Sequence, residues 1–161
     1  GQAISQPYMV AIMTQSAELT PGERILEVGT GSGYQSAILA EMGMEVYTIE
    51  RKAALSKRAE LRLQRLKYPG VRTKVADGTL GWKEEAPFDV ILVTAGAPEL
   101  PVPLLDQLVL GGRLVIPLEE GPSQVLYVVT RRRDGFRKHR GERCTFVPLI
   151  GEYGWGKDPR S

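Results

Sequence analysis

The sequence is poor in the residues that build metal clusters and disulfide frameworks. Its 161 residues include one cysteine, Cys144, and one histidine, His139. A single cysteine excludes an internal disulfide and any cysteine-based metal cluster. A single histidine excludes sites with a pair of histidine ligands and disfavours a Ser-His hydrolase. We therefore expect no bound metal, and the cysteine usage is typical of a reducing, cytoplasmic setting.

Long apolar runs and a strong charge excess are also missing. No apolar stretch approaches the roughly 20 residues of a membrane-spanning helix, so we expect no membrane association. The first ten residues, GQAISQPYMV, lack the basic and apolar regions of a secretory signal peptide. The net charge is only +2, and 42% of the residues are hydrophobic. These values are typical of a soluble globular domain.

Strand and helix patterns alternate along most of the chain. Short apolar runs predict strands, and apolar residues at helical spacing predict the helices between them. The predicted strands are 24–29, 44–50, 71–76, 88–94 and 113–118, and the predicted helices are 7–18, 34–42, 53–67 and 104–110. This alternation predicts an α/β fold with a doubly wound, mostly parallel sheet.

The C-terminal part of the chain has a different pattern. Only residues 119–123 separate the strand at 113–118 from the next, at 124–130, and five residues are too few for a crossover helix. Asp134-Gly135 is a hairpin turn signal that leads to a last strand at 136–148. We therefore expect antiparallel C-terminal strands. Residues 1–153 are predicted to form a single domain, and residues 154–161 a flexible tail.

A glycine-rich loop joins the first predicted strand to a helix. It has the spacing Glu27-x-Gly29-x-Gly31-x-Gly33. Glycine allows a ligand to approach the backbone closely, and the N-terminus of the following helix offers N–H groups. The spacing fits neither the dinucleotide fingerprint nor the phosphate-binding P-loop. Glu50 ends the next strand, where a carboxylate can accept hydrogen bonds from two ribose hydroxyls.

The spacing E-x-G-x-G-x-G resembles the first motif of S-adenosylmethionine-dependent methyltransferases. In that superfamily an acid at the position of Asp77, which precedes Gly78, binds the adenine amino group. An ordinary Asp-Gly turn is the alternative, and the sequence leaves both interpretations open. Trp82, a few residues later, is equally compatible with stacking on adenine and with packing in the core.

Five segments together closely resemble the protein-L-isoaspartate (D-aspartate) O-methyltransferase family. They are GQAISQPYMV (1–10), ILEVGTGSGYQSAILAE (25–41), FDVILVTAGAPELP (88–101), GGRLVIPL (111–118) and FVPLIGEYGW (146–155). The resemblance implies a Rossmann-like methyltransferase fold with S-adenosyl-L-methionine as cofactor. It also implies methyl transfer to the free carboxylate of L-isoaspartyl and D-aspartyl residues in damaged proteins, which initiates repair through a succinimide.

The resemblance also assigns roles to individual residues. Ser5 corresponds to the active-site serine of the family. The positions that correspond to cofactor-binding residues are Pro7, Tyr8, Met9, Val10, Glu27, Gly29, Gly31, Gly33, Glu50, Asp77 and Gly78. The substrate positions are Ile4, Ser5, Val147, Pro148 and Leu149. The expected partners are isoaspartyl-containing proteins and peptides, and we expect a monomer that binds no nucleic acid.

Two features depart from the family pattern. Ala3 stands where the family usually has threonine, so one hydroxyl near the site is lost. A helical region of several dozen residues, which precedes the ISQP segment in the family, is absent from this sequence. The activity of the chain without that region is therefore open, and a cofactor-binding fragment without activity is one alternative function.

Two further alternatives are methyltransferases that act on nucleic acid or on a small molecule. Seven basic residues crowd the last hairpin, which makes a nucleic-acid-binding patch conceivable. They are Arg131, Arg132, Arg133, Arg137, Lys138, Arg140 and Arg143. A solvated hairpin whose charges protect a sheet edge from aggregation is the favoured interpretation, because only Phe136 could offer a base a stacking surface. Similarly, Ser5 could simply cap the helix that begins near Pro7.

Overall fold

A seven-stranded sheet with helices on both faces organises residues 7–160, the part of the chain that the computed structural model describes. The strands lie in the order β3-β2-β1-β4-β5-β6-β7. They are β1 (Arg24–Val28), β2 (Glu45–Glu50), β3 (Arg72–Val75), β4 (Phe88–Val93), β5 (Leu108–Glu120), β6 (Ser123–Arg132) and β7 (Gly135–Cys144). The helices are α1 (Pro7–Ser16), α2 (Tyr34–Glu41), α3 (Ala53–Arg65) and α4 (Val102–Asp106). The predicted α/β fold is confirmed.

The parallel half of the sheet places β1 at its centre. β1 pairs in parallel with β2 on one side and with β4 on the other, while β3 and β5 extend the parallel pairing outward. The chain therefore reverses its winding direction between β1 and β4. In open α/β sheets, ligands bind beyond the carboxyl ends of the strands at such a point. The topology thus directs attention to the loops that follow β1, β2 and β4.

Both faces of the sheet are covered by apolar side chains. Neighbouring residues of β1 point to opposite faces, as the pleat of a strand requires. Ile25 packs in a cluster with Met13 of α1 and Leu39 of α2, whereas Leu26 packs with Leu104 of α4 in a second cluster. The apolar run in β4 follows from the same arrangement, because both faces of that strand are buried.

The C-terminal strands are antiparallel, as predicted, but β5 is longer than predicted. It begins at Leu108 rather than at residue 113, and α4 occupies residues 102–106 rather than 104–110. The difference arises because Leu108 pairs with Phe88 of β4. A register shift between Phe88 and Val90 accommodates Gly111 and Gly112, so the strand continues across them. Gly111 and Gly112, which precede the predicted strand, therefore lie at an irregularity inside β5.

The last strand is shorter than predicted, and the chain after it returns to the sheet by another route. β7 ends at Cys144, and the amide side chain of Gln124 then holds the backbone of Phe146 through two hydrogen bonds of 2.8 and 3.0 Å. Further on, the Trp155 indole donates to the Gly96 carbonyl at 3.2 Å. Hydrogen bonding to the body of the protein therefore extends as far as Trp155.

The four α-helices of the described region are short. None of them, within residues 7–160, is long and apolar enough to cross a membrane.

Candidate functional site

A cavity of about 550 Å³ lies at the carboxyl ends of β1, β2 and β4. Its wall consists of segments 27–32, 49–51 and 144–150, together with Met9, Val10, Tyr34, Gln35, Gly78, Thr94 and Ala95. The glycine loop and the segment after β7 thus face each other across one space. Its volume is in the range typical of sites for small molecules and cofactors.

The cavity brings together most of the residues that the sequence identified and that the structure describes. Those in its wall are Met9, Val10, Glu27, Gly29, Gly31, Glu50, Gly78, Val147, Pro148 and Leu149. Pro7, Tyr8, Gly33 and Asp77 are not among the lining residues. Ile4 and Ser5 fall outside residues 7–160, so their predicted roles stay predictions.

The residues outside the wall have identifiable surroundings. Tyr8 is 63% exposed, and its hydroxyl lies 3.5 Å from a carboxylate oxygen of Glu142. Pro7 begins α1 and borders a separate apolar cleft between α1 and α2. Gly33 caps α2 in a left-handed conformation, with φ of 85°. None of these three residues lines the cavity.

The glycine loop is fastened to the end of β2 by its own backbone. The N–H groups of Gly29 and Thr30 donate to the Ile49 carbonyl at 2.8 and 3.2 Å. The Gly31 N–H donates to the Glu50 carboxylate at 3.0 Å. The backbone N–H groups of Gly29, Thr30 and Gly31 are therefore already used within the protein.

Gly29 is required by its contacts as well as by its conformation. Its φ of 102° is one that side-chain-bearing residues rarely adopt. A Cβ atom here would also collide with the hydroxyl of Thr94, which donates to the carbonyls of Val28 and Gly29 at 3.1 and 2.9 Å. Thr94, at the end of β4, thus fixes the exit of β1 toward the cavity.

Glu50 is buried in the cavity wall, with 4% of its surface exposed. One carboxylate oxygen accepts from the Gly31 N–H and the other from the Lys52 N–H, each at 3.0 Å. Each carboxylate oxygen has two acceptor positions, so both retain capacity for one more donor. The two backbone bonds therefore orient the carboxylate without saturating it, as binding of paired hydroxyls requires.

Glu27 is the most unusual acid of the site, because its side chain is 99% buried at the end of β1. The hydroxyl of Thr48 donates to it at 2.6 Å, the Ser36 hydroxyl donates to the same oxygen, and Thr30 contacts Thr48 at 2.6 Å. Burial raises the pKa of the carboxyl group to about 7, and the Glu50 charge adds to the effect. A cation placed in the cavity would stabilise the ionised form.

Asp77 has a different environment from these two acids. One carboxylate oxygen accepts from the backbone and side chain of Thr79 at 2.9 and 2.7 Å, and the other accepts from the Glu152 N–H at 2.9 Å. Asp77 thus ties the short turn at Gly78 to the chain after β7. Gly78 lies against Val28 with no room for a side chain, so its backbone reaches the cavity. The predicted contact of Asp77 with adenine stays a prediction.

The sequence analysis missed the polar residues that support this site. Thr30, Ser36 and Thr48 form the hydrogen-bond network of Glu27, and Gln35 lines the cavity. Thr48 offered one signal, since it is a polar residue in the middle of a buried strand. Thr30 and Ser36 bond to residues 18 and 9 positions away in sequence, and Nε2 of Gln35 has no partner, so no local pattern could reveal their roles.

Two other residues have clear environments. Trp82 packs edge to face against Tyr47, with ring centroids 5.5 Å apart, and this contact favours the packing interpretation over adenine stacking. Cys144 lines the cavity, where burial and the charge of Glu119 raise the pKa of its thiol to about 11. The thiol is therefore protonated at neutral pH. Residues 7–160 contain no group of three His, Cys, Asp or Glu side chains that could hold a metal ion.

Comparison of the sequence with known proteins gives consistent matches. Residues 1–154 match the protein-L-isoaspartate(D-aspartate) O-methyltransferase family. The chain is 52% identical to the protein-L-isoaspartate O-methyltransferase of Geobacter metallireducens over 158 residues, which cover 98% of this chain and 73% of that protein. It is 51% identical to the enzyme of the same name from Dictyoglomus thermophilum over 155 residues, covering 96% of this chain and 70% of that protein.

Solved structures give the same result. One similar structure is a protein-L-isoaspartate O-methyltransferase, with a TM-score of 0.87 and 28% identity over 94% of this chain, which spans about half (49%) of that one. Another is the Plasmodium falciparum protein described by the same name in complex with S-adenosyl-L-homocysteine, with a TM-score of 0.78 and 32% identity, covering 93% of this chain and 77% of that one. The chain therefore belongs to the protein-L-isoaspartate (D-aspartate) O-methyltransferase family.

Proposed function

We propose that this protein transfers a methyl group from S-adenosyl-L-methionine to the free carboxylate of L-isoaspartyl and D-aspartyl residues in damaged proteins and peptides. A backbone nitrogen then attacks the ester carbonyl and displaces methanol, which closes a succinimide, and its hydrolysis returns part of the chains to normal aspartate. The observation that carries the proposal is the cavity where the glycine loop and Glu50 face segment 144–150, in a chain of this family.

The residues of the cavity fit the cofactor. Glu50, with spare acceptor capacity on both oxygens, would bind the ribose hydroxyls, and the backbone at Gly78 would contact the adenine edge. The buried carboxyl of Glu27 would bind the ammonium group, since a cation compensates the burial of its negative charge. When bound, S-adenosylmethionine supplies an electrophilic methyl group and retains the electron pair of the broken C–S bond as a neutral thioether.

The protein needs no general base for this reaction. A carboxylate with an ordinary pKa of about 4 is already ionised at neutral pH. Catalysis can therefore come mostly from holding the accepting oxygen in line with the methyl group. We assign the Ser5 hydroxyl to donate a hydrogen bond to the second carboxylate oxygen, which would orient the first.

The substrate backbone would lie along Val147, Pro148 and Leu149. This segment is fixed to the sheet, because the Gly96 N–H donates to the Val147 carbonyl at 2.7 Å and the Leu149 N–H donates to the Gly96 carbonyl at 2.8 Å. It therefore forms a rigid wall of the cavity. A rigid, extended wall is suited to bind a methyl-accepting substrate that is itself an extended peptide.

A methyl-transfer assay tests the proposed function. The protein would be given an isoaspartyl peptide, its normal aspartyl twin and an RNA, with transferred methyl measured on each. We expect transfer to the isoaspartyl peptide alone. Transfer to RNA, or equal transfer to both peptides, would contradict the proposal. If S-adenosylhomocysteine binds but no methyl is transferred, even with a family-like N-terminal extension added, the chain is a cofactor-binding fragment.

Replacement of Ser5 by alanine tests the assigned orienting hydrogen bond. A bond to a charged group is worth about 2–3 kcal/mol, so Ser5→Ala should lower turnover roughly 30- to 150-fold with cofactor affinity nearly unchanged. As a mere helix cap, Ser5 would instead contribute about 1 kcal/mol of stability and little to the rate. Turnover and melting temperature must be measured on the same variant. Normal turnover in an active parent would remove Ser5 from the reaction.

We further propose that the protein acts as a monomer in the cytoplasm. The single cysteine supports the cytoplasmic part of this assignment, because reducing compartments disfavour disulfides. Light scattering on the purified protein measures the oligomeric state directly.

A further inference from the structure

Gln35 is a polar residue of the cavity wall whose side-chain Nε2 atom has no hydrogen-bond partner. It lies in the first turn of α2, and only 6% of its surface is exposed. Its side-chain Nε2 atom is buried and forms no hydrogen bond with any residue of the described chain. A buried amide donor without a partner is costly, and such groups are rare unless a ligand satisfies them. The amide therefore indicates an acceptor that arrives with a ligand.

The position of Gln35 limits what that acceptor is. The next residue, Ser36, donates its hydroxyl to Glu27, and both Gln35 and Glu27 line the cavity. The amide and the buried carboxyl group thus belong to one wall. An α-amino acid carries its ammonium and carboxylate groups on the same carbon. A ligand that places its ammonium on Glu27 brings its carboxylate to the surroundings of that wall.

The glycine loop leaves this carboxylate few donors. The N–H groups of Gly29, Thr30 and Gly31 are bonded to the end of β2, and the Gly33 N–H donates to the Thr30 carbonyl at 2.9 Å. Among the buried side-chain atoms of the described residues, Gln35 Nε2 is the one without a hydrogen-bond partner, and an amide N–H is a good partner for a carboxylate.

We infer that the side-chain amide of Gln35 binds the α-carboxylate of the methionyl part of the cofactor. The inference rests on the proposed function, because it concerns the same cofactor, and it adds a residue that selects for its amino-acid end. Glu27 and Gln35 together would recognise the two opposite charges of one zwitterion. A neutral amide suits this task beside an acid, because a second carboxylate would repel the anion and an arginine would pair with Glu27 directly.

Calorimetry with two ligands tests the inference. The ligands are S-adenosylhomocysteine and its decarboxylated counterpart, S-adenosyl-3-thiopropylamine, which keeps the amine and lacks only the carboxylate. Gln35→Met keeps the size and removes the donor, and Gln35→Glu keeps the shape and adds a repelling charge. We expect Gln35→Met to weaken binding of the first ligand about 10- to 100-fold, and Gln35→Glu to weaken it further. Binding of the decarboxylated ligand should stay within about threefold in Gln35→Met.

The melting temperature of the ligand-free protein gives an independent readout. Gln35→Met removes an unsatisfied buried amide, so the ligand-free protein should melt at the same or a higher temperature. The stabilisation by S-adenosylhomocysteine should shrink. Equal loss of affinity for both ligands, unchanged affinity for both, or a marked fall in the ligand-free melting temperature would overturn the inference. Failure of the unaltered chain to bind S-adenosylhomocysteine would instead overturn the proposed function on which the inference rests.

Discussion

Two glutamates, Glu27 in the cavity wall and Glu120 on the C-terminal hairpin, have opposite environments. The Glu120 carboxylate is exposed to solvent, accepts from Arg140 and from the Tyr127 hydroxyl, each at 2.6 Å, and its pKa is lowered to about 2 by these hydrogen bonds. Glu27 is buried with hydroxyl partners alone, and burial raises its pKa to about 7. The negative charge of Glu120 is compensated by the cationic side chain of Arg140, whereas Glu27 has no cationic partner.

The difference shows where the molecule is prepared for a ligand. In the hairpin every strong charge near Glu120 has a partner or lies in water, as expected for a surface that maintains solubility. In the cavity, Glu27 has no cationic partner and Gln35 has an unpaired amide. Perturbed acids in a cleft often mark functional sites. The basic hairpin, which is more conspicuous in the sequence, carries no comparable unsatisfied group in the described residues.

The largest effect among the acids is expected at Glu50. Glu50→Ala removes hydrogen bonds to the ribose hydroxyls, which should weaken S-adenosylhomocysteine binding roughly 10- to 150-fold by calorimetry. Glu120→Ala is the matched control on the hairpin and should bind the ligand normally. Unchanged affinity in Glu50→Ala would remove this residue from the ribose contact, and loss of affinity in both variants would erase the contrast between the two regions.

The pH dependence of binding sharpens the comparison at Glu27. If the ammonium group requires the ionised carboxylate, S-adenosylhomocysteine should bind about tenfold more weakly at pH 6 than at pH 8, because a pKa of about 7 means that binding must first remove a proton. Glu27→Gln should bind weakly with no such dependence. The same dependence in both proteins would assign the titration to another group.

The titration of Glu27 should also change the stability of the ligand-free protein, but in the opposite direction: stability should fall with rising pH, whereas ligand affinity should rise. Between the unfolded-state pKa of about 4.3 and the folded-state value of about 7, the folded protein keeps a proton that the unfolded chain has released. The free energy of unfolding therefore falls as the pH rises through this window, by at most about 4 kcal/mol, and is constant above it. Denaturant unfolding at several pH values measures this contribution against Glu27→Gln.

The smallest effect is expected in the basic hairpin. Replacing Arg132 and Arg133 by serine should leave methyl transfer to a neutral peptide within a few-fold, because neither residue lines the cavity. Arg137, further along the hairpin, offers a second exposed position for the same test. Abolished transfer together with salt-sensitive RNA binding would contradict the comparison, since phosphate contacts of basic side chains produce such a salt dependence.

The local patterns were good predictors wherever neighbours in sequence decide the structure. The apolar runs of β1 and β4, the glycine spacing after β1 and the Asp134-Gly135 turn each predicted the correct element, and the short 119–123 connection predicted antiparallel pairing. The predictions failed where a distant partner decides. β5 begins before its predicted start because Leu108 pairs with Phe88 of β4. β7 ends before its predicted end, and the side chain of Gln124 then binds the backbone of Phe146.

The sequence by itself determined the fold class, the family and the positions of Glu27 and Glu50, because hydrophobic periodicity and motif spacing are local properties of the chain. Only the tertiary structure decided how those residues are used. The burial that raises the pKa of Glu27, the backbone bonds that orient Glu50, the hydrogen bond between Asp77 and the chain after β7, and the unpaired amide of Gln35 all depend on segments that folding brings together. Charge compensation depends on three-dimensional proximity and solvent exclusion, and neither is encoded in the spacing of residues along the chain.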